Sequence, residues 1–407
     1  MKFSEYPISE KIKQQLEVLG FKKPTDIQFK AIKPIMEGED VLAIAQTGTG
    51  KTGAFAIPIL DKLEKTSKKN YRGVRCLVIV PTRELAKQIS LVFKDIGRET
   101  SVKTFGLFGG VEQEQQIRTL NNGIDILVST PGRMFDLISQ GHIDISKLDY
   151  LVLDEADLML DLGFLKDIQD VLKHIPKKRQ TLFFSATITK KIKTLAYSLV
   201  RDAIRIQISP HNPVAGNIIH SVSFIEMDDK RFFLENILKE YSESKFIIFV
   251  RTQVRAGRVV EAMNRVGIKS VALHGGIEQK DRFGILDSFR NDQNRILITT
   301  DVAARGIDIP NVEYVINYDI PDNPENYVHR CGRCGRGKNK GSAISFCSEE
   351  EKLLLEEIEK YTGEEIEHYS LSKEEYVSIL KDSEDESYDW KKLLKQSSKE
   401  DGTEEEW

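Results

Sequence analysis

The chain has 407 residues, enough for two or three domains that each bury a core. Its 40% apolar and 30% charged content excludes a low-complexity chain, and no apolar run approaches the length of a membrane span. Four cysteines in so long a chain argue against a disulfide framework and for a reducing cytosol, and Met1-Lys2-Phe3-Ser4-Glu5 has no signal-peptide core, so a cytoplasmic location is expected. The net charge of −4 hides an asymmetry. From Glu349 to Trp407 there are 21 acidic and 8 basic residues, a charge of −13, which leaves +9 on the rest. A basic body of that kind can hold a polyanion, or the charge serves solubility alone; an acidic tail repels a polyanion.

Short apolar runs alternate with helical stretches along the chain. The first is Val41–Ala45, followed by the small-residue turn Gln46-Thr47-Gly48-Thr49-Gly50 and then Lys51-Thr52 at the head of a helix. This is a phosphate-binding P-loop, with Ala45 where the strictest pattern has Gly. Backbone N–H groups of Ala45 to Gly50 would cradle phosphate, Lys51 would sit on the β- and γ-phosphates, and Thr52 would take a Mg²⁺ position. Further runs are Cys76–Val80, Ile124–Ser129, Tyr150–Leu153 and Thr181–Phe184. Each is nearly all apolar, as a strand buried on both faces must be, and each ends in small or polar residues. Strands alternating with helices give a parallel sheet, with ligands at the carboxyl ends of the strands.

The run Tyr150–Leu153 ends in Asp154-Glu155-Ala156-Asp157. An acid at that place after a P-loop is where such an ATPase holds Mg²⁺, so Asp154 would hold the ion. Glu155 would orient and deprotonate the attacking water, or else serve as a helix N-terminal carboxylate. The rhythm resumes at Phe246–Val250, Ser270–Leu273, Arg295–Ile298, Tyr314–Ile316 and Ser342–Phe346, without a second P-loop. Ser209 to Asn217, with two Pro, a Gly and two Asn, reads as a linker. The expected layout is α/β: residues 1–207 as a nucleotide-binding domain, 208–217 as linker, 218–365 as a second domain, and 366–407 as an acidic, disordered tail. Within the tail, Trp390, Leu393 and Leu394 make a short apolar face for a protein partner, or a chance cluster in a solvated segment.

Taken together, these segments resemble the DEAD-box RNA helicases. Phe21-Lys22-Lys23-Pro24-Thr25-Asp26-Ile27-Gln28, with Phe3 upstream, is similar to that family's Q motif. Pro81-Thr82-Arg83-Glu84-Leu85-Ala86, Gly109-Gly110, Thr130-Pro131-Gly132-Arg133 and Ser185-Ala186-Thr187 are similar to its next elements in order. Ile248 to Thr252, His274-Gly275-Gly276, Thr300 to Asp308 and His329 to Arg336 are similar to its second-domain set. The resemblance covers residues 3–365 and implies two tandem RecA-like domains. It implies an RNA-stimulated ATPase that hydrolyses ATP to ADP and phosphate with Mg²⁺ and locally unwinds short RNA duplexes.

The resemblance also implies roles. Gln28 would read the adenine edge with Phe21 beside the base, and Asp301 would contact the ribose. Arg333 and Arg336 would reach the γ-phosphate as arginine fingers. Ser185, Thr187, Asp157 and His329 would couple the ATP site to the RNA site. Thr82, Arg83, Gly110, Thr130, Arg133, Arg251, Gly275, Arg282 and Thr300 would hold RNA phosphates and 2′-hydroxyls, with the helix after Arg133 bending the strand. ATP and RNA together would close the two domains, and hydrolysis would reopen them. An ATP-gated RNA clamp with little unwinding uses the same motifs, and a DNA helicase is a second alternative that Gln28 and Thr130 to Arg133 oppose. The compact layout suits a bacterial, RhlE-like subgroup, although the acidic tail departs from it. Cys331-Gly332-Arg333-Cys334 departs from the family's usual Ile and Thr. It reads as small substitutions in a packed loop, a metal pair, or a redox-sensitive pair beside Arg333.

Overall fold

The computed structural model describes the chain apart from Met1, Thr47, residues 67–72, 209–216, Arg305, Gly306, Asp308, Pro310, 336–339 and 384–407. The linker expected at 208–217 falls mostly on undescribed residues, except that Ile208 closes a strand. The chain divides into two compact units.

The first unit is built on seven strands: β1 (Val41–Ala45), β2 (Cys76–Ile79), β3 (Thr104–Leu107), β4 (Ile126–Ser129), β5 (Tyr150–Leu153), β6 (Gln180–Ser185) and β7 (Ile204–Ile208). They form one parallel sheet in the order β3-β4-β2-β5-β6-β1-β7. Alternate residues of β1 feed opposite cores, because a strand turns successive side chains to opposite faces. Val41, Ala43 and Ala45 pack with Phe55, Phe93 and Phe184. Leu42 and Ile44 pack with Leu77, Leu151 and Phe183 on the other face. Phe55 lies 5.2 Å from the Phe184 ring and 5.9 Å from the Phe93 ring. Truncating such a side chain to Ala typically costs ~3–5 kcal/mol.

The second unit repeats the plan. Its strands are β8 (Ile218–Phe224), β9 (Phe246–Phe249), β10 (Val271–Leu273), β11 (Ile296–Thr299), β12 (Tyr314–Asn317), β13 (Gly341–Cys347) and β14 (Glu367–His368). Their order is β10-β11-β9-β12-β13-β8-β14, again all parallel. Each sheet is covered by helices on both faces, the RecA-like plan.

One boundary needs correction. The tail expected from residue 366 begins later, because residues 366–383 belong to the fold. β14 pairs with β8 through Glu367 and His368. The helix Lys373–Lys381 opens with a reciprocal cap between Ser372 and Glu375. It is held by Tyr376, whose ring lies 4.8 Å from Phe233 and whose hydroxyl donates to Asp229 Oδ2 at 2.7 Å. The acidic composition of this stretch masked a helix with one aromatic anchor. Residues 384–407 lie outside the described ones. No described helix is long and apolar enough to cross a membrane.

Candidate functional site

The end of β1 sets the first part of the site. Gly48 and Gly50 have φ of 80° and 92°, the left-handed region that glycine adopts without penalty. A side chain at Gly50 would also lie 2.7 Å from Gln28 Nε2 and 2.9 Å from Thr25 Oγ1. The helix Lys51–Lys65 begins at once, and no side chain caps it. Its first N–H groups therefore face the loop, the arrangement that suits an anion. Thr49 Oγ1 donates to Gln46 O at 2.8 Å and tightens the turn. Lys51 is buried, with its Nζ donating to Ala45 O at 3.0 Å. Thr52 follows on the first turn of the same helix, half-buried. Thr47 lies outside the described residues.

The Q-motif segment is tied directly to this loop. Thr25 and Gln28 form a capping box on the helix Asp26–Glu37. Gln28 Oε1 accepts from Thr25 N, and Gln28 Nε2 donates to Gly50 O, each at 3.0 Å. Phe21 meets Phe3 edge-on at 6.1 Å. The Gln28 amide thus braces the P-loop, a job that motif resemblance does not reveal. Gln28→Glu keeps the cap acceptor but loses the donor to Gly50 O and sets a carboxylate against a carbonyl. We expect a loss of ~1–3 kcal/mol, read by chemical denaturation, with Gln28→Ala milder by the missing repulsion.

Asp154 and Glu155 stand at the end of β5, in the contiguous strand trio β5-β6-β1 that also carries the P-loop and Ser185. Burial pushes the Asp154 carboxyl above the usual carboxylate range, and the Lys51 ammonium opposes that rise. Asp154 Oδ1 accepts from Glu155 N at 3.0 Å. Glu155 has φ 53° and ψ 49°, left-handed for a residue with a side chain. It precedes the helix Ala156–Asp161 but does not cap it, so the helix-dipole alternative lacks its hydrogen bond. Asp157 Oδ2 accepts from Ala186 N and Thr187 N, both at 3.1 Å, which joins the β5 turn to the β6 turn. Ser185 Oγ is buried without a hydrogen-bond partner. A buried ammonium, a buried carboxylate and an uncapped helix start fit a triphosphate with its cation. No group of three or more His, Cys, Asp or Glu converges as a cation site among the described residues, so Thr52 and Asp154 would share the ion with phosphate oxygens.

The RNA candidates of the first unit occupy the other half of its sheet, at the ends of β2, β3 and β4. Thr82 caps the helix Arg83–Ile96 by accepting from Leu85 N at 3.2 Å. Gly110, with φ 79°, lets the loop pass against the Arg83 guanidinium, where a side chain would collide. Thr130 precedes Pro131 at the start of the helix Pro131–Ser139. Arg133 Nη1 donates to Gln116 Oε1 at 2.7 Å, and Gln116 Nε2 donates to Phe108 O at 3.0 Å. Gln116 therefore aims Arg133 and was not marked by any motif.

In the second unit, Arg251, Gly275 and Thr300 stand at the ends of the adjacent strands β9, β10 and β11. Arg282 lies on the helix Gln279–Arg290. Arg251 is held by carboxylates, 3.3 Å from both Asp322 Oδ1 and Glu351 Oε1. Glu351 also takes the fully buried Lys230 ammonium at 2.5 Å. Asp301 opens the helix Asp301–Ala304, and both its oxygens are gripped by Arg330, at 2.6 and 2.8 Å. Arg330 also donates to Asp319 O at 2.7 Å. Reading for chemistry overlooked Arg330, although its place between His329 and Arg333 marked it. His329 is half-buried on the helix Pro324–Cys331, and Arg333 is buried in the turn that follows. Arg336 lies outside the described residues.

Cys331 and Cys334 are free and buried. Burial pushes both thiols up, that of Cys334 to about 12. Since the thiolate is the reactive form, these thiols are inert in the folded chain. Diamide is therefore expected to leave ATP hydrolysis unchanged, and a loss reversed by dithiothreitol would refute this.

The chain matches the DEAD/DEAH box helicase family over residues 25–195 and the helicase conserved C-terminal domain over residues 229–338. It is 38% identical to the ATP-dependent RNA helicase DbpA of Bacillus subtilis, over 88% of this chain and 74% of the relative. It is 38% identical to the ATP-dependent RNA helicase RhlB of Shewanella amazonensis, over 88% of this chain and 83% of the relative. Among solved structures, Saccharomyces cerevisiae Dbp5 bound to RNA and ADP BeF3 superposes with a TM-score of 0.82 at 29% identity, over 93% of this chain and 99% of that one. The DEAD-box helicase Mss116 bound to ssRNA and UDP-BeF gives a TM-score of 0.82 at 30% identity, over 94% of this chain and 82% of that one.

Proposed function

The chain belongs to the DEAD-box family of ATP-dependent RNA helicases, and from that premise we propose how its own residues divide the work. Lys51 and the N–H groups from Gly48 to Thr52 hold the β- and γ-phosphates of ATP. Thr52 and Asp154 hold Mg²⁺, which when bound neutralises phosphate charge. Glu155 takes a proton from water as its oxygen bonds to the γ-phosphorus and the bond to the β-phosphate oxygen breaks, releasing ADP. Arg333 and Arg336 supply positive charge as that bond breaks. Gln28 and Phe21 select adenine, and Asp301 meets the ribose.

RNA lies along Thr82, Arg83, Gly110, Thr130 and Arg133, and along Arg251, Gly275, Arg282 and Thr300. These are hydroxyls, glycine backbone and guanidinium, which read a sugar-phosphate backbone without reading sequence. The observation that carries this reading is the strand order of the first sheet. β5-β6-β1 bears the nucleotide set, β3-β4-β2 bears the RNA set, and Asp157 ties two nucleotide-side turns together. A cytoplasmic location and an RhlE-like subgroup remain readings of composition and layout.

The test is ATP hydrolysis by the full chain with an RNA oligonucleotide, with DNA of the same sequence, and with neither, beside strand displacement on a short RNA duplex. RNA alone should stimulate hydrolysis, and the short duplex should open when ATP is supplied. Equal stimulation by DNA would overturn the RNA assignment. Stimulation without strand displacement would make the chain an ATP-gated clamp.

A further inference from the structure

The second unit carries a basic groove that the proposed chemistry does not use. It has a volume of about 500 Å³ and lies along the helices Lys230–Glu240 and Gln253–Arg265. Four arginines line it, Arg231, Arg255, Arg258 and Arg265, against two carboxylates, Asp228 and Glu261. Arg258 and Arg265 are exposed, whereas Arg255 is fixed to the buried Asp319 at 3.1 Å. The groove also has apolar surface, from Met227 and from Val254, which is 61% exposed. Excess positive charge beside apolar wall suits a segment that is both acidic and aromatic.

Such a segment begins where the described chain ends. Ser383 Oγ donates to Glu235 Oε2 at 2.5 Å. Glu235 is one helical turn from Arg231 on the helix that walls the groove. The next residues are Glu384-Asp385-Glu386-Ser387-Tyr388-Asp389-Trp390, with four carboxylates, no base and two aromatic rings. Seven extended residues reach up to ~23 Å, more than twice the ~10 Å that separates the axes of two packed helices.

We propose that residues 384–390 dock in this groove of their own chain, with the carboxylates against Arg231, Arg258 and Arg265 and the aromatic rings on the apolar wall. The docked segment covers a basic face that ends at Thr252, the neighbour of Arg251, and so excludes other polyanions from it. The −13 charge of the C-terminal stretch is then partly neutralised in place.

The chain has two tryptophans, Trp390 and Trp407, both beyond Ser383, so its indole fluorescence reports on the tail alone. Trp407→Phe leaves Trp390 as the sole reporter. Its quenching by acrylamide is compared in the full chain, in Arg258→Glu with Arg265→Glu, and in that variant carrying Glu384→Arg, Asp385→Arg and Glu386→Arg. Docking predicts a shielded Trp390, a docking constant roughly tenfold weaker after the two reversals, and shielding regained with the compensating tail. Both groove positions are exposed, and a thermal melt checks that the fold is kept. The proposal is overturned if Trp390 is as accessible in the full chain as in a peptide of residues 384–396. It is equally overturned if shielding survives the reversals, which places the tail on another surface. Shielding that grows with protein concentration, as on a second copy, also overturns it.

Discussion

Glu155→Gln is expected to lower RNA-stimulated ATP hydrolysis by about 10²–10⁴-fold, the range lost with a positioned general base, while ATP binding persists. The side chain keeps its size, and the amide cannot take the proton. The backbone sharpens the expectation. Glu155 sits at φ 53° and ψ 49°, where a side chain costs about 1–2 kcal/mol. Gln meets the same cost, so Glu155→Gln should melt like the native chain. Gly meets none of it, so Glu155→Gly should match or exceed native stability, by up to ~1 kcal/mol, although Gly adds freedom to the unfolded chain. Activity lost while stability holds or rises is the mark of a residue kept for chemistry. Fluorescent-nucleotide titration and thermal melts measure the two halves. Glu155→Gln that hydrolyses ATP at the native rate would remove Glu155 from the mechanism.

Legibility in the sequence followed burial. Runs such as Val41–Ala45 and Tyr150–Leu153 are apolar at every position because both faces of their strands are covered, and they stand out from their surroundings. β7, by contrast, is an edge strand with one neighbour, so Ile204–Ile208 alternates with Arg205 and Gln207 and lacks that signal. β3 is an edge strand as well, interrupted by Gly106. β8 lies inside its sheet, yet its His220, Ser221 and Ser223 break the apolar run. The site divides in the same way. P-loop and acidic motifs are local strings, and they could be read. Gln28 bonded to Gly50, Gln116 aiming Arg133, and Arg330 gripping Asp301 are contacts across 22, 17 and 29 residues that only the fold brings together. The left-handed Glu155 left no mark at all, since nothing in Asp154-Glu155-Ala156-Asp157 asks for a positive φ.

Arg330 is the residue whose loss should most damage the second unit. Its side chain is 2% exposed and its guanidinium lies 5.0 Å from the Phe249 ring centre. Its donors reach both oxygens of Asp301, the carbonyl of Asp319 and, at 3.3 Å, Asn317 Oδ1. One planar fork thus fixes the ends of β11 and β12 and the start of the helix that bears His329. Arg330→Ala removes the cation and leaves Asp301 and two oxygens without their donors, so a loss of ~3–5 kcal/mol is expected. Arg330→Lys keeps the charge but has no planar fork to meet both Asp301 oxygens and the Asp319 carbonyl, and it should recover only part of that loss. Arg330→Met fills the space under Phe249 and still strands the carboxylate, so it separates packing from charge. Pairing Arg330→Met with Asp301→Asn removes both charges. If the carboxylate is what suffers, the double variant should be more stable than Arg330→Met alone, by up to ~3 kcal/mol of coupling. Urea unfolding of the full chain followed by circular dichroism gives the order, and ATP titration shows whether a loosened Asp301 weakens nucleotide binding. Independent, additive losses from the two substitutions would mean that the Arg330 fork holds packing alone and that Asp301 does not depend on it.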